Sequence, residues 1–330
     1  LLMSVPTFAI GLLPTYAVIG VWAPILLLAL RVMQGAAIGG EVPGAWVFVS
    51  EHVPPRHVGF ACGTLTAGLT GGMLLGALVA TAVNRSYSPA ELLSEGWRVP
   101  FIIGGIFGFV SVWLRQYLHE TPVFQALKAR AALAAELPLK QVIRAHRPAI
   151  ALTMLLTWLL SAAIVVMILM TPTLLQKLYA IPAATALQAN SVAIVFLSIG
   201  CVVFGALADR FGAGRVLMLG CVMLGFTSLL LYQQMRVAPE NLYPLYALCG
   251  FFVGVIGIVP SVAVQAFPPV VRFSGLSFSY NVAYAIFGGL TPILISLALP
   301  LDPLAPAHYV AALSVLGVGI GALLWRRENI

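Results

Sequence analysis

The sequence predicts an all-α membrane protein built from two helical bundles, and three observations lead to that prediction. The chain has 330 residues, of which 61% are hydrophobic and 8% are charged, whereas an average soluble domain is about half apolar and about a quarter charged. Long apolar runs recur along the whole chain, and its mean hydropathy is +1.03. One long polar and basic stretch divides these runs into two groups.

The apolar runs predict about ten transmembrane helices. A membrane helix needs about 20 predominantly apolar residues to cross about 30 Å of hydrocarbon. The first run is short, and it begins at the first residue, without an initiator methionine. The predicted spans are residues 1–13, 24–50, 59–83, 98–116, 148–171, 188–208, 216–235, 243–266, 275–299 and 308–325.

The polar stretch predicts the domain organisation. We expect an incomplete first bundle of four spans over residues 1–116, a cytoplasmic linker over 117–147 and a second bundle of six spans over 148–330. The loops EHVPPRHVGFA and QAFPPVVRFSG each place a Pro-Pro pair at an exit from a span, and such internal repeats are typical of transporters. The unequal number of spans suggests that two helices of the first bundle precede this sequence.

The charge distribution predicts the orientation in the membrane. Twelve of the 17 Lys and Arg residues fall between spans on one side and four on the other. By the positive-inside rule, both ends of the chain lie in the cytoplasm and the protein is a multi-pass protein of the plasma (inner) membrane. Nucleic acid is not an expected partner, because the basic residues form no dense stripe with interleaved aromatics. The four cysteines lie singly in apolar segments and are interpreted as small hydrophobic residues.

Two charged residues lie deep inside the second predicted span. Arg31 lies about 10 Å of helix beyond Pro24, and Glu41 lies about 15 Å beyond Arg31. Charged groups at this depth normally face a bundle interior or a water-filled cavity. Arg31 is predicted to attract an anionic or zwitterionic substrate or to support protonation, and Glu41 to carry a proton. The alternatives are a structural ion pair for Arg31 and a hydrogen bond to a neighbouring helix for Glu41.

Weaker candidates for the substrate cavity lie in other spans. Tyr280 and Tyr284 are one helical turn apart and share a face, although aromatic residues of a membrane-interface belt would give the same pattern. Asn281 needs hydrogen-bond partners at that depth. Gln34 and Trp158 are further candidates for the cavity wall.

Glycines recur in the second and third spans and predict close helix packing. They are Gly35, Gly39, Gly40, Gly44, Gly63, Gly68, Gly71, Gly72 and Gly76.

Four motifs together resemble the major facilitator superfamily, and within it the metabolite:proton symporters for proline/betaine, citrate, 2-oxoglutarate and shikimate. They occur in the family's order and are RVMQGAAIGGEVPGA, GWRVPFIIGGIFGFVSVWLRQYLHETPVF, GALADRFGAGR and FPPVVRFSGLSFSYNVAYAIFGGLTP. The resemblance implies the major facilitator fold, with these spans as helices 3 to 12 of 12. Val58 departs from the family pattern, which usually has Arg before Gly59, and Ala213 and Gly214 replace a commonly basic pair.

The resemblance also implies a cytoplasmic gate. In this superfamily the equivalents of Asp209 and Arg210 pair with neighbouring helix ends and hold the outward-facing state. Arg215 belongs to the same predicted gate, and Arg272 and Glu51 resemble partners of the same type. Ordinary loop charge is the alternative interpretation for Asp209, Arg210 and Arg215.

The expected function is secondary active transport by alternating access, in which proton entry drives uptake of a small organic acid or zwitterion. The expected partners are a small-molecule substrate that bears a carboxylate, protons and the lipid bilayer, with the proton gradient as energy source, no cofactor or metal, and a monomeric protein. An uncoupled facilitator or exporter of the same fold is an alternative, and an intramembrane enzyme or sensor is another. No H-E-x-x-H motif, paired-nucleophile motif or phosphate loop supports the enzyme alternative.

Overall fold

The computed structural model describes residues 1–117 and 138–328, and every regular element in these ranges is a helix. Within them, nine helical segments are long and apolar enough to cross a membrane. This confirms the predicted all-α membrane fold. The remaining predicted span forms a helix of nine residues, α1 (Ser4–Leu12), whose length of about 14 Å is less than half of the hydrocarbon thickness.

Three longer helices follow α1, with short helical turns at Tyr16–Ile19, Pro89–Glu91 and Leu92–Gly96 before or between them, and the bounds of the first two extend past the predicted spans. The helix predicted over residues 24–50 begins two residues earlier and ends two residues later in the structure. These helices are α2 (Trp22–His52), α3 (Val58–Ser86) and α4 (Arg98–Arg115).

The later part of the chain begins with a short helix and continues with six long helical segments. Most of the predicted linker lies outside the described residues, but its last part is helical. The elements are α5 (Pro138–Ala145), α6 (Arg147–Ile164), α7 (Thr171–Tyr179), α8 (Ala183–Phe211), α9 (Ala213–Gln234), α10 (Leu242–Val253), α11 (Val259–Gln265), α12 (Arg272–Ala283), α13 (Gly289–Ala298) and α14 (Ala305–Glu328).

Three of these spans change helix type partway along their length. A π-helical stretch, Val165–Met170, joins α6 to α7, and a second, Tyr284–Gly288, joins α12 to α13. A 3₁₀ stretch, Gly254–Ile258, joins α10 to α11. Such stretches often mark functional sites in membrane helices. Apolar periodicity alone did not predict them.

Side chains satisfy the carbonyl groups of the first π-helical stretch. The Thr171 hydroxyl donates to the Val166 carbonyl at 2.8 Å, and the Tyr246 hydroxyl lies 2.6 Å from the Met167 carbonyl. Both residues are buried. An irregular backbone at membrane depth is tolerated when its polar groups find such partners inside the protein.

The described residues form two compact units. One holds residues 1–44 and 75–117, and the other holds residues 45–74 and 138–328. The start of α3 thus packs with the later helices of the chain, for example through a 2.7 Å hydrogen bond between the hydroxyl groups of Thr70 and Ser198. The bundle boundaries at residues 116 and 147 stay a prediction.

Close packing explains some of the predicted glycine positions and not others. A Cβ atom at Gly59 would lie 2.6 Å from the Gly205 carbonyl oxygen, and Gly63 packs closely against Cys201. By contrast, a Cβ atom at Gly35, Gly40, Gly68, Gly71, Gly72 or Gly76 would meet no atom of the described residues within 4 Å. For these six glycines the packing prediction stays a prediction.

Candidate substrate and gating sites

Arg31 lies on the exposed side of α2 and is held by two uncharged neighbours. Its Nη1 donates to Gln34 Oε1 at 3.2 Å, and its Cζ lies 5.6 Å from the centre of the Phe101 ring. Gln34 is buried and in turn donates from Nε2 to the Thr7 hydroxyl oxygen at 2.7 Å. In the described part of the chain, no carboxylate forms an ion pair with Arg31. The positive charge of Arg31 is therefore not neutralised within the compact unit of residues 1–44 and 75–117.

Glu41 lies on the same continuous helix as Arg31, ten residues further along. It is half-buried. The helix rise of 1.5 Å per residue separates the two backbone positions by about 15 Å, as the sequence predicted. The structure therefore does not bring Arg31 and Glu41 together as a pair on one turn of helix.

Tyr280 and Tyr284 share a face of the α12 span, and their ring centres are 5.6 Å apart. Tyr280 is 8% exposed and also packs edge-to-face against Trp46, at 5.1 Å between ring centres. Such burial does not match the alternative of an interfacial aromatic belt for Tyr280. Asn281 is half-buried and donates to the Ser277 carbonyl at 2.7 Å.

Trp158 belongs to a polar and aromatic cluster between α6 and the last two spans. Its indole Nε1 donates to the Tyr309 hydroxyl at 2.9 Å, and that hydroxyl lies 2.9 Å from the Thr291 hydroxyl. The Trp158 ring stacks on Phe287, with 4.3 Å between ring centres and 9° between ring planes. This cluster lies beside the second π-helical stretch, which contains Tyr284 and Phe287.

Glu51 and Arg272 form an ion pair between the end of α2 and the start of α12. Arg272 Nη1 lies 3.0 Å from Glu51 Oε1, and Arg272 Nε donates to the Phe267 carbonyl at 3.3 Å. The side chain of Glu51 is 7% exposed and that of Arg272 is 18% exposed. Because both charges are largely removed from solvent, loss of one partner leaves the other poorly compensated.

Asp209 lies near the end of α8 and caps the start of α3. Its Oδ1 accepts the Gly59 N–H and its Oδ2 accepts the Phe60 N–H, both at 2.7 Å. The first N–H groups of a helix have no acceptor within the helix, and a carboxylate there also interacts favourably with the helix dipole. A Cβ atom at Gly59 would lie 2.7 Å from Asp209 Oδ1, so a glycine lets the carboxylate reach the backbone.

Arg210 and Arg215 lie next to aromatic rings at the same end of the helices. The Cζ atom of Arg210 lies 5.2 Å from the centre of the Phe211 ring, and that of Arg215 lies 5.4 Å from the Trp325 ring. Asp209 and Arg215 both line a cavity of about 400 Å³. Gly214, which departs from the family pattern, lets the backbone of α14 approach closely, because a Cβ atom there would lie 2.7 Å from the Gly321 carbonyl oxygen.

Asp302, in the loop before α14, contacts His308 in the first turn of that helix. Asp302 Oδ2 lies 2.6 Å from His308 Nδ1, and Asp302 Oδ1 accepts the Leu304 N–H at 2.9 Å. The backbone hydrogen bond, followed by the contact with His308, lowers the pKa of Asp302 below its ordinary value. Both side chains are well exposed.

Several residues that contact the predicted ones, directly or through one neighbour, were not predicted from the sequence. Thr7, Phe101, Trp46, Thr291 and Tyr309 each lie in an apolar run, where Thr and aromatic residues are ordinary. Thr7 is 27 residues from Gln34, and Tyr309 is 151 residues from Trp158. The spacing of residues along one helix carries no signal for contacts of this kind.

Comparisons with known proteins agree with this architecture. The sequence model of the Major Facilitator Superfamily matches residues 1–292 of this chain. The chain is 30% identical over 325 residues to a putative proline/betaine transporter of Staphylococcus aureus (strain COL), covering 96% of this chain and 69% of that protein. It is also 30% identical over 343 residues to the proline/betaine transporter of Escherichia coli (strain K12), covering 99% of this chain and 68% of that protein.

Solved structures show the same fold at lower sequence identity. The proton:xylose symporter XylE bound to 6-bromo-6-deoxy-D-glucose aligns with a TM-score of 0.77 and 15% identity, covering 98% of this chain and 78% of that one. FucP in the outward conformation aligns with a TM-score of 0.65 and 15% identity, covering 97% and 82%. The chain therefore belongs to the Major Facilitator Superfamily and is a multi-pass membrane protein of the secondary transporter type.

Proposed function

We propose that the protein is a proton-coupled symporter that carries a small zwitterionic or carboxylate-bearing metabolite across a bacterial plasma membrane by alternating access. The names of the relatives at 30% identity, proline/betaine transporters, support a zwitterionic substrate. Proline and betaine each combine one carboxylate with one positively charged nitrogen. We take these two compounds as the substrates to test first.

The unneutralised charge of Arg31 is the observation that carries this proposal. A guanidinium at membrane depth is costly unless it faces a water-filled cavity or an anionic partner. Arg31 is exposed, and its contacts are a neutral amide and an aromatic ring. A planar guanidinium can bind a carboxylate through two parallel hydrogen bonds. In this proposal, the substrate carboxylate completes the set of Arg31 partners.

The other predicted site residues take two further roles in the proposal. Glu41 takes up and releases the coupling proton, since carboxylates within membrane spans commonly serve as proton relays in transporters. The wall of the substrate cavity and the cytoplasmic gate involve separate residues. We propose Gln34 as a substrate-contacting residue of the unit that holds Arg31, and Trp158, Tyr280, Asn281 and Tyr284 as substrate-contacting residues of the other unit. The proposed gate residues all lie in that other unit and are Glu51, Asp209, Arg210, Arg215 and Arg272.

The topology completes the proposal. We place both ends of the chain in the cytoplasm, because most Lys and Arg residues lie between spans on that side. Two bundles joined by the linker at residues 117–147 would alternate the access of one substrate site. We expect the working unit to be a monomer.

Proton movement in vesicles tests the proposed coupling. Addition of proline or betaine to vesicles that contain the full-length protein should make the external medium more alkaline, because each substrate molecule enters with a proton. A pH electrode and radiolabelled substrate record both fluxes together. Uptake without proton movement would instead identify an uncoupled facilitator.

The Glu41→Gln variant tests which residue carries the proton. This variant should still exchange labelled for unlabelled substrate, but it should lose substrate-driven alkalinisation and accumulation against a gradient. Glu95→Gln is the matched control, because Glu95 is an exposed carboxylate in the helical turn Leu92–Gly96 that precedes α4. Unchanged proton movement in Glu41→Gln would remove Glu41 from the mechanism.

A further inference from the structure

Thr7, on the short first helix, forms the outer end of a hydrogen-bonded chain that leads to Arg31. We propose that Thr7 is a positioning residue, whose hydroxyl fixes which end of the Gln34 amide faces the Arg31 guanidinium. The inference rests on the role proposed for Arg31 in binding the substrate carboxylate.

The direction of each hydrogen bond in the series from Thr7 to Arg31 follows from the chemistry of the groups. The Thr7 Oγ1 atom lies 2.7 Å from the Met3 carbonyl oxygen and 2.7 Å from Gln34 Nε2. A hydroxyl has one hydrogen to donate, and a carbonyl oxygen can only accept. The Thr7 hydrogen therefore points to Met3, and the Thr7 oxygen accepts from the Gln34 amide nitrogen.

This direction determines the contact with Arg31. When the nitrogen of the Gln34 amide faces Thr7, its oxygen Oε1 faces Arg31 and accepts from Nη1 at 3.2 Å. The opposite amide orientation would place an NH₂ group against the guanidinium, so that donors face donors. Because Gln34 is only 8% exposed, water has little access to compensate for a lost hydrogen bond there.

The backbone around Thr7 is held by close packing. A Cβ atom at Gly105 would lie 2.6 Å from Phe8 Cβ, and one at Gly104 would lie 3.5 Å from Thr7 Cγ2. These glycines let α1 lie directly on α4. The same helix α4 carries Phe101, whose ring lies beside Arg31.

Arg98 fixes the other end of α1. Its Nη1 donates to the Gly11 carbonyl at 3.1 Å and to the Leu13 carbonyl at 2.8 Å, and these carbonyls lack partners at a helix C-terminus. Thr7 is thus presented from a fixed helix. Together, Thr7, Gln34 and Phe101 orient the guanidinium, while its remaining N–H groups stay available for a carboxylate.

Two substitutions of Thr7 separate the hydroxyl from the shape of the side chain. Thr7→Val removes the hydroxyl at nearly constant volume, and Thr7→Ser keeps it. The hydrogen bonds from Thr7 through Gln34 to Arg31 form a relay. Loss of its one neutral hydrogen bond between Thr7 and Gln34 should raise the KM for proline or betaine about fivefold, with kcat unchanged. Thr7→Ser should behave as the unmodified protein. Uptake kinetics in proteoliposomes with the full-length protein measure both constants, and thermal melting confirms that each variant is folded.

Thr81→Val is the matched control. Thr81 is also half-buried, lies in the same compact unit and donates to the carbonyl four residues earlier, at 2.8 Å. In the described residues its hydroxyl forms no hydrogen bond with a second side chain. Its loss should therefore leave the KM unchanged.

A double-mutant cycle tests whether Thr7 acts through Gln34. Gln34→Leu alone should raise the KM at least as much as Thr7→Val, and Thr7→Val should add nothing in the Gln34→Leu background. Additive effects, or a Thr7→Ser variant as impaired as Thr7→Val, would overturn the relay. If Arg31→Gln itself leaves the KM unchanged, the proposed substrate site fails together with the relay. If Arg31→Gln raises the KM but Thr7→Val leaves it unchanged, the role of Thr7 is overturned while the proposed substrate site is retained.

Discussion

Arg31 and Arg272 are both arginines on membrane-spanning helices, and they differ in the charge of their partners. Arg272 lies 3.0 Å from the carboxylate of Glu51, and both side chains are largely buried. Arg31 instead contacts the neutral amide of Gln34 and the ring of Phe101, and it is exposed. One site is closed and nearly neutral, whereas the other keeps its positive charge.

This difference suggests that Arg31 and Arg272 have separate roles in the fold. An ion pair between two helices holds them in one arrangement, and its rupture exposes two charges, which suits a gate. An arginine that is oriented by uncharged groups has lost mobility but not charge. Such preorganisation favours recognition of an external carboxylate. The following predictions test whether the two sites differ in this way.

The largest expected effect belongs to Arg31→Gln. Removal of the charge should lower kcat/KM for proline or betaine roughly 30-fold or more, because the loss of one partner of a charged pair costs about 2 kcal/mol or more. Arg31→Lys should recover part of the loss, since a lysine keeps the charge but not the planar fork. Radiolabelled uptake in proteoliposomes measures the effect. Arg85→Gln, at the exposed end of α3, should match the unmodified protein.

Glu51→Gln should have a smaller effect on a different property. Weakening this partly buried pair should shift the conformational balance by about 1–2 kcal/mol, between the values for exposed and buried pairs. The shift should speed alkylation of Cys62 about 5- to 30-fold. Cys62 is buried one turn beyond the α3 amides that Asp209 caps. The assay uses a variant in which Cys62 is the sole cysteine.

Two controls sharpen the Glu51 experiment. Glu240→Gln changes an exposed carboxylate in a loop and should leave the alkylation rate unchanged. The exchange of Glu51→Arg with Arg272→Glu should restore part of the slow rate, because the opposite charges again meet. An unchanged rate in Glu51→Gln would show that the pair does not hold the gate.

The smallest expected effect belongs to Asp302, which lies in the loop between the last two spans and whose side chain is 41% exposed. Hydrogen bonds lower the pKa of Asp302 in the folded protein, so its ionised form stabilises the fold at neutral pH. This contribution is present above the pKa of the unfolded state and is lost as the pH falls through the lower pKa of the folded state. The effect is small, because water screens exposed charges.

Melting temperatures across a pH series check this prediction. Asp302→Asn should melt slightly below the unmodified protein at neutral pH, and the difference should vanish in acid. His308→Asn should retain most of the pH dependence, because the Leu304 N–H contributes more to the lowered pKa than His308 does. A difference that persists below the folded pKa would show that the carboxylate charge is not its cause.

Helix positions could be predicted well from the sequence, because the hydrocarbon thickness imposes a length and a composition on each span. The span predicted at 24–50 forms Trp22–His52, and the paired faces of Tyr280 and Tyr284 follow from the helix period. The π-helical stretch Val165–Met170 could not be predicted in this way. Its stability depends on hydroxyl groups such as that of Tyr246, which lies 79 residues from Met167.

The sequence indicated which polar and charged residues form the candidate sites, but not which residues contact them. A charge in an apolar run draws attention to Arg31, yet the same rule gives no reason to select Thr7 or Phe101. Glycine spacing likewise predicted packing at Gly63, where α8 lies close, and at Gly72, where no atom of the described residues lies within 4 Å. Contacts between helices depend on their arrangement in space, which the periodicity of one helix does not encode.

Substrate binding, measured apart from turnover, tests the contrast between the two arginines most directly. Purified Arg31→Gln and Glu51→Gln proteins can be titrated side by side with radiolabelled proline and betaine. We expect Arg31→Gln to weaken binding roughly 30-fold or more, and Glu51→Gln to bind with the same order of affinity as the unmodified protein. Retained affinity in Arg31→Gln, or an equal loss in both variants, would contradict the separate roles proposed for the two arginines.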